Sequence, residues 1–479
     1  MNGLHLDRRA LLLAGTGAAT TAAVLTFEPA EAGSTVTKKF TGTFQPDDTE
    51  DWHYLPFRVP SGVRQIDVSY SYPPPIDTHL GYSKNVVDIG LFDADGFRGW
   101  SGGARKKFRL TRTTATPGYL AGPIRAGRWR VALGPYQIVS PVKYEVTVTL
   151  HFGKKGEMFR PTPAPTAVAG TGQGWYRGDL HVHTVHSDGS QTQVDVLGYA
   201  KARGLDFIGT SEHNTSSATR TWGTFVPDDF LVISGEEVTT RAGHWLATGL
   251  PAGTWIDWRY RPEDGRLAGI TQQVRDLGGL SIAAHPYIPV PSIRWDFGSD
   301  FAEMDAIEVW NGPWDGFDEQ AVRRWHQLLT AGTFKPAVGN SDTHNQGQTI
   351  GLAQTVVRAE ALATDAIVAG YRGGHSWIAE SSDVDLHLTA TLDDVSGECG
   401  DRVPSDAGQQ VAVHLDATGV DGCVATLLGP GTAVYGTAAA VDGAITLDVD
   451  VRGGTAFVRA EIRRNKDMVA LTNPIFLTA

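Results

Sequence analysis

Gly178-Asp179-Leu180-His181-Val182-His183-Thr184-Val185-His186-Ser187-Asp188-Gly189-Ser190 is the stretch on which the reading of this chain turns. On a strand, the two-residue spacing of His181 and His183 puts both imidazoles on one face. Turn formers follow at once and bring Asp188 back towards that face. Histidine pairs with a carboxylate suit a borderline or hard divalent metal whose site must also keep a water. A lone His-x-His is a weak signal, but this one has company. Downstream come Glu212-His213, Gly235-Glu236-Glu237, Gly243-His244, Ala284-His285-Pro286 and Ser341-Asp342-Thr343-His344, and most of them close an apolar run.

Working outward, strands alternate with helices from Trp175 onwards. Period-two and short apolar runs predict strands at 180–183, 207–210, 231–234, 245–248, 280–283, 307–310 and 337–339. Helical periodicity predicts helices over 193–203, 269–276, 318–329 and 361–372. Seven strands with interleaved helices imply a parallel sheet, most economically a closed barrel. In that architecture chemistry gathers at the carboxyl ends of strands. His213, Glu237, His285, Asn311, Asp342 and His344 all fall just after theirs, while His244 opens its strand.

The flanks read differently. Residues 33–155 alternate and turn without helical periodicity, as an all-β sandwich or jelly-roll module; it reads as a packing or solubility module, the alternative being carbohydrate or surface contact through exposed aromatics such as Trp100 or Tyr119. Pro161-Thr162-Pro163-Ala164-Pro165 makes 156–174 a stiff linker. The catalytic unit then spans 175–380, and 381–479 returns to alternation as a second β module. Segment 1–32 has Asp7-Arg8-Arg9, an uncharged stretch to Phe27 and an Ala-x-Ala site ending at Ala32. It predicts a twin-arginine-type export signal, the alternative being a retained membrane anchor. An exported or secreted protein would leave Cys399 and Cys423 candidates for pairing.

The chain has 479 residues, enough for several domains, and its 41% apolar and 20% charged content is that of a folded globular protein. A net charge of −12 argues against a nucleic-acid backbone as partner. The basic run Arg105-Lys106-Lys107-Phe108-Arg109-Leu110-Thr111-Arg112 reads as a solvated strand or loop. With two cysteines and no Cys-x-x-Cys, thiolate zinc sites are excluded. His186, off the shared strand face, and His326, on a helix, read as structural.

Taken together, the histidine and acid motifs from Trp175 to Ile378 resemble the PHP (polymerase and histidinol phosphatase) metallophosphoesterases. The β flanks, the export signal and Ile307-Glu308-Val309-Trp310-Asn311-Gly312 look more like the carbaryl-hydrolase-like branch. The resemblance implies a distorted (β/α)7 TIM-like barrel with two or three divalent metals, commonly manganese, iron or zinc. It implies that His181, His183, Glu237 and Asp342 hold one metal. Glu237 would bridge to a second with His285 and His244, and Asp188, His213 and His344 would hold a third. Glu237 is preferred to Glu236 because the family glutamate follows its glycine by two.

The expected chemistry is hydrolysis of a phosphate mono- or diester by metal-activated hydroxide, since a bound divalent ion lowers the pKa of water from 15.7 to about 7. Asp342, His213 and His344 are the candidate catalytic residues, the histidines for protonating the leaving group. Arg241, Arg294, Asn311 and Tyr287 stand on predicted rim loops as candidate substrate contacts, the arginines as phosphate clamps. The alternatives are a carboxylic ester or carbamate hydrolase on the same metals, and a non-catalytic exported binding protein. No Gly-rich phosphate loop or Gly-x-Ser-x-Gly elbow supports a nucleotide-driven or serine mechanism.

Overall fold

The structure, a computed structural model, describes residues 33–46, 51–73 and 85–478. The expected export segment lies outside them. Among the described residues no helix is long and apolar enough to cross a membrane.

Period-two burial builds the first module. Ile66, Val68 and Tyr70 alternate with more exposed neighbours along Val63–Ser71, as do Val146, Val148 and Leu150 along Val142–Phe152. Thr35–Phe44, Val142–Phe152, Val63–Ser71 and Lys107–Thr111 form one antiparallel sheet, and His53–Val59, Gly127–Gln137, Val86–Phe92 and Phe97–Gly102 another. Their apolar faces share one core around Ile89, Leu91, Trp129 and Val131. Trp100 and Tyr119 are not exposed platforms: both are at most 3% exposed. Trp100 packs with its ring centroid 4.7 Å from that of Trp258, joining the sandwich to the following unit. Arg105, expected in a solvated run, instead donates to the carbonyls of Val185 and Ser187 in the first histidine loop.

In the central unit the helices are Gln193–Ala202, Leu267–Asp276, Gly316–Thr330 and Thr364–Gly373. Two begin with reciprocal capping boxes, Thr192 with Asp195 and Asp315 with Asp318, in which each side chain accepts the other's backbone N–H. The strands form a five-stranded sheet and part of a ten-stranded one. The five-stranded order is Gly235–Thr240, Gly243–Thr248, Leu280–Ala283, Ala306–Asn311, Ala337–Asn340. The larger sheet begins Leu231–Ile233, Phe207–Gly209, Gly174–Asp179, Gln354–Ala359, Ser376–Ala379.

Two expectations need correction. The sheets are mixed, not all parallel, and among the described residues no sheet closes on itself. Gly235–Thr240 and Gly243–Thr248 form a tight antiparallel hairpin, which reverses the chain without the helical crossover a parallel pair needs. The two sheets touch instead through single bridges, Val182 to Thr343 and His213 to Glu237. The first strand also ends at Asp179, before the histidines. The Asp179 carboxyl accepts the N–H groups of His181, Ser341 and Gly351, taking backbone donors of the adjoining loops away from any ladder.

Beyond Ser376–Ala379 the larger sheet runs on into Asp467–Thr472, Phe457–Arg464, Val424–Leu428 and Val434–Ala439 of the C-terminal module. A further four-stranded sheet covers it, with a core including Leu386, Val413, Leu415 and Ala460. The change near residue 380 is thus crossed by a continuous sheet. Cys399 and Cys423 are buried and unpaired.

Candidate metal centre

Strand Gly235–Thr240 points Glu237, Thr239 and Arg241, the residue just beyond it, along one side, as a period of two requires. Glu237 is fully buried and is the hub of the cluster. Its Oε2 lies 3.4 Å from Nε2 of both His181 and His183 and 2.8 Å from Nδ1 of His213. Its Oε1 lies 2.8 Å from His244 Nδ1 and 3.2 Å from His285 Nε2. Asp342 Oδ1 approaches His183 Nε2 at 3.0 Å, His181 Nε2 at 3.2 Å and His344 Nδ1 at 3.5 Å. Asp188 Oδ1 sits 3.3 Å from His344 Nε2 and 3.6 Å from His213 Nε2. All nine expected metal-binding residues therefore fall in one connected cluster.

The groupings differ in detail from those expected. His183 joins Asp188, His213 and His344 as one candidate ligand set; His181, His285 and Asp342 make another, and His213, Glu237 and His244 a third. His183 also shares a set with His181 and Glu237, so it stands between two groups rather than in one. Glu236 faces the other way: it is 1% exposed, and its Oε2 accepts the Ile256 N–H at 3.3 Å. Burial pushes the Glu236 carboxyl well above the ordinary carboxylate range, which favours its neutral form.

A rigid outer layer aims these ligands. Glu308, missed in the sequence, is 1% exposed and accepts four bonds. They come from His181 Nδ1 at 3.0 Å, Asn340 Nδ2 at 2.8 Å, the His285 N–H at 2.7 Å and Asn311 Nδ2 at 2.9 Å. Glu212 is equally buried and accepts from the Thr184 N–H and hydroxyl and from the Ser187 hydroxyl, bracing the loop that carries His183 and Asp188. His285 and Asp342 have positive φ of 28° and 50°, a conformation unusual for these residues and one that clusters at functional sites. A buried acid inside an apolar strand, as in Ile307-Glu308-Val309, is the signal that would have found Glu308.

The chemistry of the donor set fits a divalent cation. His181 Nε2, His183 Nε2, Glu237 Oε2, His244 Nε2 and Asp342 Oδ1 are buried polar atoms without a hydrogen-bond partner. Orphans of this kind are costly unless something else satisfies them. Burial raises Glu237, but the imidazoles of His213, His181 and His244 outweigh it and hold the carboxyl well below its usual range. Asp342 is held down in the same way by His181, His183 and His344. Burial with His344 and His213 close by presses His183 down to about 3, leaving a neutral imidazole of the kind that binds metal.

No protein-family model matches the chain. Over 147 residues it is 27% identical to the uncharacterized protein MJ1587 of Methanocaldococcus jannaschii, an alignment covering 28% of this chain and 81% of that protein. A crystal structure from Bacteroides vulgatus, described as a two-domain protein containing a predicted PHP-like metal-dependent phosphoesterase, matches over 67% of this chain and all of its own. Identity there is 17% and the TM-score 0.36.

A cavity of about 580 Å³ opens on the Asp188, His213 and His244 side of the cluster. Its outer wall is the N-terminal sandwich, through Trp52, Asp88, Trp100 and Tyr136. Of the expected substrate contacts, Arg241 lines this cavity. Arg294 does not: it is exposed and pairs with Asp296 at 3.0 Å. Asn311 is spent on supporting Glu308, and with Tyr287 it lines a separate crevice beside His285. His186 bonds the Ser217 hydroxyl at 2.8 Å and His326 the Gly431 carbonyl at 2.8 Å, both outside the cluster.

Proposed function

We propose that the chain is a PHP-type metal-dependent hydrolase acting on phosphate mono- or diesters. The observation that carries the reading is the convergence of buried, partnerless ligand atoms from His181, His183, Glu237 and Asp342. Two or three divalent ions, manganese, iron or zinc, would be held by these four with Asp188, His213, His244, His285 and His344. Once bound, such ions supply hydroxide at neutral pH and neutralise charge developing on a phosphoryl centre.

The chain's own residues do the rest. Glu308 fixes His181 through Nδ1, so that Nε2 faces the centre. Burial opposes protonation of His213, but Glu237 and Asp188 overcome it and push this imidazole up to about 10. Asp188 and Asp342 raise His344 against burial likewise. Whichever of the two imidazoles a bound metal leaves free is the candidate to protonate the leaving oxygen.

A second reading, hydrolysis of an aryl carboxylic ester or carbamate, is favoured by the aromatic lining of Trp52, Trp100, Tyr136 and Trp258. It agrees with the resemblance to the carbaryl-hydrolase-like branch. Export through the segment around Asp7-Arg8-Arg9 belongs to the same proposal. The test is turnover of 4-nitrophenyl phosphate and bis(4-nitrophenyl) phosphate beside 1-naphthyl methylcarbamate. Phosphoester turnover that chelation abolishes supports the first reading. Carbamate turnover alone replaces it with the second.

A further inference from the structure

Arg241 is held almost entirely by the other module. It is 8% exposed. Its Nη1 lies 3.4 Å from Oδ2 of Asp88, on sandwich strand Val86–Phe92. Its guanidinium carbon stands 4.8 Å from the Trp52 ring centroid and 4.4 Å from that of Tyr136, also sandwich residues. Gly134, on strand Gly127–Gln137, makes the approach possible: a Cβ there would come within 2.8 Å of both Arg241 Nη2 and the Trp52 ring. Yet Nε and Nη2 have no hydrogen-bond partner. Those two nitrogens form the side-on edge of the guanidinium, the fork that takes a carboxylate or phosphate through two parallel bonds. Two unsatisfied donors of a buried cation are expensive unless an anion completes them.

The position of this fork matters. Arg241 follows Glu237 by four residues, about 13 Å of extended chain, at the turn of the hairpin that carries both Glu237 and His244. Arg241 lines the same 580 Å³ cavity as His213 and His244, the two histidines nearest Glu237, and its size takes one compact molecule.

We propose that the N-terminal sandwich is a wall of the substrate pocket, and that Arg241 selects substrates carrying a second oxyanion, remote from the group hydrolysed, on an aromatic or apolar body. This rests on the hydrolase reading above. It assigns the sandwich a task in specificity and Asp88, Trp52 and Tyr136 the task of positioning Arg241. The oxyanion is a carboxylate or a phosphate, since the same fork accepts both.

The test uses the metal-loaded full chain and two non-hydrolysable probes, benzylphosphonate and 4-carboxybenzylphosphonate, titrated by calorimetry. The wild type should bind the carboxylated probe about tenfold more tightly or better, the scale of a buried bidentate pair. Arg241→Gln should bring the ratio close to one. So should the Arg241→Gln/Asp88→Asn double variant, which removes the acid that the single change leaves unpaired. Metal content measured on every sample shows whether the folded centre is retained. A wild-type ratio near one, or a ratio that survives in both variants, overturns the proposal and leaves the hydrolase reading standing. Failure of both phosphonates to bind the metal-loaded wild type overturns the phosphoesterase reading and this proposal with it. Replacing the carboxylate by a second phosphonate separates the two oxyanion sources, the tighter probe naming the preferred one.

Discussion

Glu308→Gln is the sharpest test of how the centre is held. The substitution preserves size and shape, so it opens no cavity. It replaces one acceptor oxygen by an NH2 group, and every partner of Glu308 is a donor. If the amide faces His181 Nδ1 and Asn340 Nδ2, two donors meet a donor. If it turns over, the His285 N–H and Asn311 Nδ2 do. Either way two buried donors are left unsatisfied, at about 1–3 kcal/mol each, or roughly 2–6 kcal/mol in all. His181 also loses the acceptor that fixes its ring, and such outer partners are worth about 10–100-fold in metal affinity. Urea unfolding of metal-stripped protein reads the first loss, and competition against a fluorescent chelator reads the second. A variant within about 0.5 kcal/mol of wild type in stability, the range of an ordinary surface substitution, with unchanged metal affinity, would refute the assigned role of Glu308.

Three further outcomes are expected. Glu237→Gln should lose bound metal while Glu236→Gln keeps it, because only Glu237 faces the histidines; equal loss in both would contradict the placement. Burial pushes Asp318 up to about 8 despite the Asn311 and Asp315 N–H groups it accepts. A carboxyl raised on folding from an unfolded value near 4 stabilises the fold fully below about pH 4 and loses that contribution as pH rises through 8. Asp318→Asn should therefore gain in melting temperature relative to wild type between about pH 4 and 8, then level off; a difference independent of pH would count against it. Arg105→Met removes the donor to Val185 and Ser187 that fastens the sandwich to the histidine loop. It should cost about 1–3 kcal/mol in urea unfolding, and an unchanged midpoint would show that the docking does not depend on it.

What the sequence disclosed follows from how local each signal is. Helix bounds came within a few residues because a 3.6-residue apolar period is a local signal; the structure adds the caps, Thr192 with Asp195 and Asp315 with Asp318. The residues that cluster were visible because most of their motifs close an apolar run. Grouping was not, since whether His183 sides with Glu237 or with Asp188 depends on how separate loops fold against each other. The closed barrel failed for a related reason. Gly235–Thr240 and Gly243–Thr248 form a hairpin, and strand direction is set by pairing that no local pattern records. Trp100 was read as exposed because alternation reports which residues share a face but not what covers that face. Here the central unit does, through Trp258.

The measurement that bears most directly on the account is the divalent-metal content of the purified protein by mass spectrometry, with Asp342→Ala prepared beside it. The account predicts at least two equivalents per chain in the wild type, and fewer in the variant together with loss of phosphoester turnover. Wild-type protein that takes up less than one equivalent after incubation with manganese, iron or zinc would contradict it.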